Sequence, residues 1–483
     1  MNTPLRRLAT LTLVMFVALM GSATWVQFFQ AGSLNTDPRN VRALYREHGN
    51  ARGPIVAGGE AIASSVPVDD PFKFQRQYPQ GDLYSAVTGF YSIVNQRTQL
   101  ELAENDQLTG RSDQLFFSRI RALLTGEQAQ GAAVETTILP AAQQAARDGL
   151  GDQHGAVVAL EPSTGRILAL VSTPGFDPNT LAVHSTSEAG QAYDALVSAS
   201  GNPLRSNATQ ERYAPGSTFK LITAAAALES GQYGADTAIP SPVQYTPPGT
   251  STPIGNFGGG SCGGDQVSLA DALRISCNTA FAELGVTLGE DALREQTARF
   301  GFDETGLEVP IPVVRSVFPT GMDTPSLAQA SIGQRDVQAS PLQMAMVASA
   351  IANGGRLMTP YLVETVRAAD LSIVSQAEPE VYSDAVSSTT ASALTQMMVG
   401  VVESGTGRSA RIDGVQVAGK TGTAQTVEGQ PPHAWFTAFA PADAPRVAVA
   451  VIVENGGNLG NEATGGQVAA PIAKAVIEAV LAS

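Results

Sequence analysis

Ser217 and Lys220 lie three residues apart at the start of an apolar segment, and they are the only Ser-x-x-Lys pair in the chain. If this segment is helical, both side chains share one face, and the lysine amine can take the proton of the serine hydroxyl. The lysine must be neutral for this, so its pKa must fall from about 10.4 towards about 7. Burial and a second cation nearby would both lower it. The pair therefore predicts a nucleophilic serine with a lysine as its base.

A second candidate element is the sequence Ser276-Cys277-Asn278, which follows the first along the chain. Its hydroxyl can relay a proton to a leaving amine, and its amide can hold the lysine or the substrate backbone. The pattern alone is unspecific, because residues 33–35 and 200–202 are also Ser-x-Asn. Its position after the nucleophile and before a third element selects Ser276 and Asn278.

The third element, Lys420-Thr421-Gly422-Thr423, contains the only Lys-Thr-Gly sequence of the chain. An ammonium group and hydroxyls suit a substrate carboxylate, and glycine lets another backbone approach closely. The backbone N–H groups of Thr423 and Ser217 would form an oxyanion hole. This element therefore predicts the substrate-binding side of an acyl-transfer site.

Two other catalytic motifs were weighed against this interpretation. Gly414 precedes Lys420 at the spacing of a phosphate-binding loop, but such a loop must lead into a long helix. The residues after Thr421 instead predict a turn and a strand. Residues 259–263 fit the nucleophile elbow of hydrolases, but their glycine-rich flanks predict a structural turn.

The serine and its lysine need a buried helix to position them. Residues 215–228 are rich in Ala and Leu, and no residue breaks the run before Gly231, so Ser217 is expected in or beside the first turn of a helix. Residues 240–264 are rich in Gly and Pro and predict a loop. Residues 267–285 return to helical spacing, which predicts that the second element lies on a helix.

The Lys-Thr-Gly element needs a sheet. Two apolar runs joined by turn residues predict a β-hairpin at residues 156–160 and 167–171. Three further strands are predicted at residues 415–419, 435–440 and 446–453, and a closing helix at 471–481. The pattern from about residue 31 to 150 is weaker and predicts a separate small domain. We therefore divide the chain into residues 1–30, 31–150 and 151–483.

Composition excludes several classes of protein. The chain has 29 basic and 44 acidic residues and a net charge of −15, which argues against general binding to nucleic acid or anionic lipid. Its four histidines are scattered without metal-ligand spacing, so we expect no metal and no cofactor. They are His48, His154, His184 and His433.

The N-terminus predicts the compartment. Arg6 and Arg7 precede an apolar run over residues 8–29, long enough to span a bilayer of about 30 Å. A cleaved signal peptide is the alternative, with small residues at 21–23, but the apolar run continues past them. We expect a single-pass anchor in the cell membrane, with everything after residue 30 outside the cytoplasm.

Cys262 and Cys277 are the only cysteines of the chain. Outside the cytoplasm two cysteines can be oxidised, and we predict that these two form a disulfide. Two free buried thiols are the alternative. A bridge would tether the second catalytic element, because Cys277 lies inside it.

With these residues in place, the chain resembles the class B penicillin-binding proteins, which are monofunctional D,D-transpeptidases. The likeness closest in overall texture is to the actinobacterial division-linked group. Beyond the three elements it rests on residues 52–55, 156–174, 331–334, 341–343, 352–355, 434–436, 465–466 and 469–471. One departure is Arg335, which stands where many members of the family have glycine.

The resemblance implies the α/β (α+β) penicillin-binding, or serine transpeptidase, fold. In this fold a central antiparallel sheet is flanked by helices and carries a small N-terminal pedestal domain. It also implies that the D-Ala-D-Ala end of a peptidoglycan stem peptide acylates Ser217, and that an amine of a neighbouring strand accepts the acyl group. β-Lactams would trap the same serine. A membrane glycosyltransferase of the shape, elongation, division and sporulation family is the implied partner.

Three alternatives stay open at this point. A D,D-carboxypeptidase or a β-lactamase-like hydrolase would use the same serine and lysine but deliver water in place of the amine. A non-catalytic scaffold that binds β-lactams or muropeptides is the third. The intact serine, lysine and Lys-Thr-Gly sequence argue against the scaffold, and the length and the anchor argue against a lactamase.

Overall fold

The computed structural model describes residues 3–30, 34, 48–115, 130–305, 307, 309–425 and 429–483. Parts of the predicted small domain, at residues 31–33, 35–47 and 116–129, therefore lie outside the described residues. The chain begins with helix α1 (Thr3–Thr24), which continues as one π-helical turn (Trp25–Phe29). Every described side chain of this unit is exposed, and the unit is long and apolar enough to cross a membrane.

A six-stranded sheet forms the first folded unit, in the order β13-β12-β4-β1-β2-β3. Its last two strands along the chain come from far beyond residue 150, and β12 pairs antiparallel with β4. The sheet therefore joins the N-terminal region to the catalytic region. Its strands are β1 (Ile55–Ala57), β2 (Glu60–Pro67), β3 (Phe74–Gln77), β4 (Ala133–Thr136), β12 (Val363–Arg367) and β13 (Ile373–Gln376).

A buried ion cluster holds this unit together. The Glu101 carboxylate accepts a bond from Arg52 Nε and another from Arg76 Nε, each 2.6 Å long. Its side chain is fully buried, and both arginine side chains are nearly so. The helices of this region are α2 (Gly81–Thr88), α3 (Gln99–Ala103) and α4 (Asn105–Leu108). The next helix, α5 (Pro140–Leu150), packs against the catalytic region.

A five-stranded antiparallel sheet forms the centre of the catalytic region, in the order β15-β16-β17-β5-β6. Most residues of its strands are apolar, and Ala and Val are common among them. Nearly all of these residues are buried, because helices cover both faces of the sheet. The strands are β5 (Gly155–Leu160), β6 (Ile167–Thr173), β15 (Ala418–Ala424), β16 (His433–Ala440) and β17 (Val447–Val453).

Helices pack on the two faces of this sheet. Helices α5 and α14 cover one face, and the other faces the helical layer that contains the candidate nucleophile. The helices after α5 are α6 (Thr186–Ser198), α7 (Lys220–Glu229), α8 (Leu269–Arg274), α9 (Asn278–Leu288), α10 (Glu290–Arg299), α11 (Thr324–Ala330), α12 (Pro341–Ala352), α13 (Ser388–Glu403) and α14 (Gly465–Ala482). Short strand pairs complete the region: β7 (Ala238–Pro240), β8 (Gln244–Tyr245), β9 (Ile254–Gly255), β10 (Gln266–Ser268), β11 (Arg356–Met358) and β14 (Val381–Asp384).

Three predicted elements differ from the structure. The helix expected over residues 267–285 is broken into α8 and α9, because Ser276 between them has a φ of +64°. The strand expected at 415–419 begins only at Ala418, since Val415 is bonded to Ile412 in a turn. The closing helix begins at Gly465 and not at Pro471, which the helix accommodates in its interior.

Candidate active site

Ser217 lies in a single 3-10 turn (Gly216–Phe219) that leads directly into α7. The turn is pressed against the edge strand β15. Gly216 has a φ of +53°, and a Cβ there would lie 2.9 Å from Thr423 O. The chain needs glycine at this point, because a side chain would force the nucleophile's turn away from the strand.

Lys220 occupies the first position of α7 and is fully buried. Its Nζ donates to Ser276 O at 2.7 Å and to Asn278 Oδ1 at 2.7 Å. Burial lowers the pKa of Lys220 well below its usual value, and the nearby Lys420 cation lowers it further. The neutral amine that proton abstraction requires is therefore favoured by the surroundings of this lysine.

The Ser276 hydroxyl lies between the two buried lysines. Lys420 Nζ donates to Ser276 Oγ at 2.8 Å, and Lys220 Nζ reaches the same oxygen at 3.4 Å. The left-handed backbone of Ser276 turns the chain out of α8 and starts α9 at Asn278. This one turn thus places a hydroxyl and an amide against the same pair of amines.

Lys420 is fully buried in β15, and burial lowers its pKa to about 7. Its Nζ also donates to Thr421 O at 2.9 Å. Gly422 follows, and a Cβ there would lie 3.0 Å from both Pro215 O and Thr218 Cγ2. The glycine therefore allows β15 to lie directly against the turn that carries the nucleophile.

Strand β15 is an edge strand, since the sheet ends with it. An extended peptide can add to an edge strand of this kind as a further strand of the sheet. The structure thus brings Lys220, Ser276, Asn278, Lys420 and Thr421 into one connected set. Gly422 and Thr423 lie against the turn that contains Ser217.

Two residues of this site were missed from the sequence. Thr406 follows α13 in a Gly-Thr-Gly turn, and its Oγ1 is 2.6 Å from Thr421 Oγ1, so the two hydroxyls share a hydrogen bond. The flanking glycines were the only signal for Thr406. Its backbone N–H also donates to Arg274 O, at the end of α8.

Asn256 is the second missed residue and lies in the glycine-rich loop before Cys262. Its Oδ1 accepts from the backbone N–H groups of Asn278 at 2.8 Å and Thr279 at 3.2 Å. Asn278 Nδ2 in turn donates to Gly255 O at 3.1 Å. The loop therefore caps the first turn of α9. An isolated asparagine in a loop gave no sequence signal for this contact.

Cys262 and Cys277 form a disulfide in the structure, with their Cα atoms 5.9 Å apart. The bridge joins the glycine-rich loop to the residue between Ser276 and Asn278. Asn256 and the disulfide thus fasten the same loop to the second catalytic element at two separate points.

The site combines two buried lysines on one serine hydroxyl with a second serine in a helical turn against an edge strand. This combination is typical of the penicillin-interacting acyl-serine transferases. The chain belongs to the penicillin-binding protein transpeptidase family. Residues 155–478 match the family described as the penicillin binding protein transpeptidase domain, and residues 52–134 match the penicillin binding protein A dimerisation domain. The first match covers the five-stranded sheet and all of the site residues described above.

Two curated relatives align with this chain over its full length. The peptidoglycan D,D-transpeptidase PbpA of Mycolicibacterium smegmatis is 46% identical over 490 residues, which are 100% of this chain and 99% of the relative. PbpA of Mycobacterium tuberculosis is 45% identical with the same coverage. The solved structure of penicillin-binding protein A from M. tuberculosis as a ceftriaxone acyl-enzyme has a TM-score of 0.88 and 45% identity. It covers 90% of this chain and 100% of that one. The penicillin G acyl-enzyme of the same protein has a TM-score of 0.85, 45% identity, and coverage of 89% and 100%.

Proposed function

We propose that this protein is a peptidoglycan D,D-transpeptidase that forms its acyl-enzyme on Ser217 and is inhibited covalently by β-lactams. The observation that supports these residues is the contact of two buried lysines with one hydroxyl, Lys220 and Lys420 on Ser276. This arrangement supplies a neutral base and a proton relay beside the nucleophile's turn.

Acylation begins when the Lys220 amine takes the Ser217 proton. Ser217 Oγ then attacks the carbonyl carbon between the two D-Ala residues of the donor. The N–H groups of Ser217 and Thr423 hold the oxyanion as the tetrahedral intermediate forms. As the C–N bond breaks, the proton passes through Ser276 to the leaving amine of D-Ala.

Deacylation repeats these steps with another nucleophile. An amine of a neighbouring stem peptide attacks the Ser217 ester, and Lys220 and Ser276 carry away its proton as the new amide forms. Ser217 leaves with a proton and is restored. Lys420, Thr421 and Thr423 bind the donor carboxylate during acylation, because they combine a cation with two hydroxyls at the strand edge.

β-Lactams follow the acylation route without completing it. Their strained amide opens on Ser217, but the leaving nitrogen stays tethered within the same molecule. The carboxylate of the antibiotic takes the place of the donor carboxylate beside Lys420. The acyl-enzyme therefore persists in the site, which blocks the amine that would complete the reaction.

We also propose that residues 1–30 anchor the chain once in the cell membrane, with a pedestal domain over 31–150 and the catalytic domain over 151–483 outside the cytoplasm. The exposed apolar helix α1 supports the anchor, and so do Arg6 and Arg7 in its first turns. The class B resemblance supports a membrane glycosyltransferase as partner. Purification of the full chain in mild detergent would test both: the chain should fractionate with membranes and retain a polymerase, and deletion of α1 should release it.

The first experiment is intact-mass spectrometry of the full chain in detergent after exposure to benzylpenicillin, beside Ser217→Ala. We expect one stable penicilloyl adduct on the parent and none on the variant. An unmodified parent with intact antibiotic would support the scaffold, and hydrolysed antibiotic would support a lactamase. Release of D-Ala without cross-linking, when an amine acceptor is present, would identify a carboxypeptidase.

A further inference from the structure

Arg335 has a backbone conformation that arginine seldom adopts, with a φ of +63°. This left-handed region crowds the Cβ of any residue other than glycine. The chain therefore keeps an arginine where glycine would be relaxed. Ser276 of the active site has a φ of +64°. Seven other described residues besides glycine also have a positive φ, so this conformation by itself does not mark a functional residue.

The backbone beside Arg335 contacts the residue next to the nucleophile. Gly216 N donates to Gly333 O at 2.8 Å. A Cβ on Gly333 would lie 2.2 Å from Gly216 O and 2.7 Å from Phe219 Cβ, so the two segments pack without space between them. Arg335 follows two residues after Gly333, and its side chain is half exposed.

The far side of the same segment is fastened in the same way. Tyr213 and Ala339 exchange two backbone hydrogen bonds, of 3.0 and 2.8 Å. Arg335 lies between this bridge and the bond to Gly216, so its Cα is held from both directions. An arginine on a backbone that is fixed in this way can present its guanidinium to a ligand with little loss of backbone freedom.

Arg335 lies towards the Ala424 end of β15, opposite the lysine end. Gly216, to which its segment is bonded, packs against Thr423 O and the Ala424 Cα. Lys420, which begins the carboxylate-binding side, is four residues earlier on the strand. If the terminal carboxylate of a donor lies at Lys420 and its reacting carbonyl at Ser217, the preceding residues of the donor leave towards Arg335.

The Arg335 guanidinium has a weak partner in the described part of the chain. Its side chain is 51% exposed, and its ion pair with Asp336 spans 4.0 Å, with the Asp336 side chain 79% exposed. The Arg335 charge also helps to lower the pKa of Asp323, but Asp323 Oδ1 already accepts a hydrogen bond from Ser326 N at 2.9 Å. Exposed pairs such as Arg335–Asp336 contribute little, so the guanidinium can bind another anion.

Two more exposed arginines border the same segment. Arg212 precedes Tyr213, and its Nη1 donates to the Arg315 carbonyl at 3.3 Å. Arg315 is two residues from Val317, which bridges to Gln338. Three exposed basic side chains, Arg212, Arg315 and Arg335, therefore lie on or next to this segment.

We propose that Arg335 is a specificity-determining residue that binds a carboxylate on the donor stem peptide, carried by the residue before D-Ala-D-Ala. This inference rests on the proposed transpeptidase function. The planar guanidinium can bind a carboxylate through two parallel hydrogen bonds. Arg335 selects the donor peptide. The two lysines and Ser276 assist the formation and cleavage of bonds at Ser217.

The test uses two stem-type peptides that end in D-Ala-D-Ala and differ in one group. The residue before D-Ala-D-Ala carries either a free side-chain carboxylate or the corresponding primary amide. The measurement is the peptide concentration that halves the rate of Ser217 acylation by benzylpenicillin, using the full chain in detergent. We expect the carboxylate peptide to protect the wild type at a concentration about tenfold lower than the amide peptide.

Arg335→Gln should remove the preference for the carboxylate peptide. Arg335→Lys should retain part of it, because lysine keeps the positive charge but cannot form two parallel hydrogen bonds to one carboxylate. The matched control is Arg356→Gln, which makes the same charge change at a side chain 60% exposed and paired with Asp384; it should keep the wild-type preference. Each protection value is normalised to the variant's own acylation rate.

Three results would overturn the inference: equal protection of the wild type by both peptides, no protection by either, or an unchanged preference in Arg335→Gln. A wild type that forms no penicilloyl adduct would instead overturn the proposed function itself. The two failures are therefore distinguishable in one experiment.

Discussion

Lys420 Nζ lies 2.8 Å from Ser276 Oγ, so that the lysine of the edge strand is bonded to the hydroxyl of the second catalytic element. This contact joins two elements that are far apart in the sequence. Lys220 approaches the same hydroxyl, and the Lys420 cation lowers the pKa of Lys220. The pH dependence of acylation is therefore a property of the pair.

Lys420→Met should move the acidic limb of the acylation profile to higher pH. Removing the Lys420 cation removes one cause of the lowered Lys220 pKa, and Lys220 is an effective base only above its pKa. The rate constant for benzylpenicillin acylation should be measured from about pH 5 to 9. An unchanged midpoint in the variant would show that burial alone sets the Lys220 pKa.

Thr406→Val should weaken binding of carboxylate-bearing ligands by about tenfold, because Thr421 loses the hydroxyl that orients it. The measurement is the acylation efficiency for benzylpenicillin and for its methyl ester, which lacks the charge. Only the acid should be affected. Thr406→Ser keeps the hydroxyl and serves as the control; a similar loss there would point to packing as the cause.

Asn256→Ala should destabilise the fold by about 1 kcal/mol and slow acylation, since it removes the cap on the helix that presents Asn278. Thermal unfolding and the acylation rate constant check the two effects. Asn256→Asp retains an acceptor for both N–H groups and should preserve most of both. Equal slowing in the two variants would mean that the cap does not position Asn278.

Glu101→Gln should destabilise the protein by about 3 kcal/mol, because it leaves two buried arginines without their counter-charge. Urea unfolding at neutral pH is the measurement. Glu295→Gln, at a side chain 67% exposed and paired with Arg299, is the control and should change stability by less than about 0.5 kcal/mol.

The protein should lose stability in acid as the Glu101 carboxylate becomes protonated. Burial raises the pKa of Glu101, but Arg76 and Arg52 more than offset this, so that its pKa lies below the usual 4.5. Its stabilising contribution is therefore complete above pH 4.5 and declines as the pH falls through the lower folded value. The wild type should lose more stability than Glu101→Gln over this range.

The candidate catalytic residues could be proposed from the sequence because their chemistry is local. The three-residue spacing of Ser217 and Lys220 and the Lys-Thr-Gly sequence are short patterns that survive without knowledge of the fold. The break at Ser276 could not be predicted, since helical spacing continued across it and only tertiary contacts hold its left-handed backbone.

Contacts between distant segments were beyond the sequence for the same reason. Thr406 and Thr421 meet because α13 and β15 pack together, and no spacing rule relates a loop threonine to a strand. The pairing of β12 with β4 joins residues more than two hundred positions apart. These contacts depend on burial and on strand register, and neither can be predicted from a single short segment of sequence.

The sheet shared between β4 and β12 also bears on how this protein can be divided. A fragment that starts at residue 151 would carry the pair β12–β13 without β4, which pairs with the other edge of β12. It would expose an unpaired hydrogen-bonding edge to every other copy in solution, and such edges promote aggregation. Inhibitor screening and crystallisation are therefore better served by a chain that keeps residues 48–136 than by the catalytic region alone.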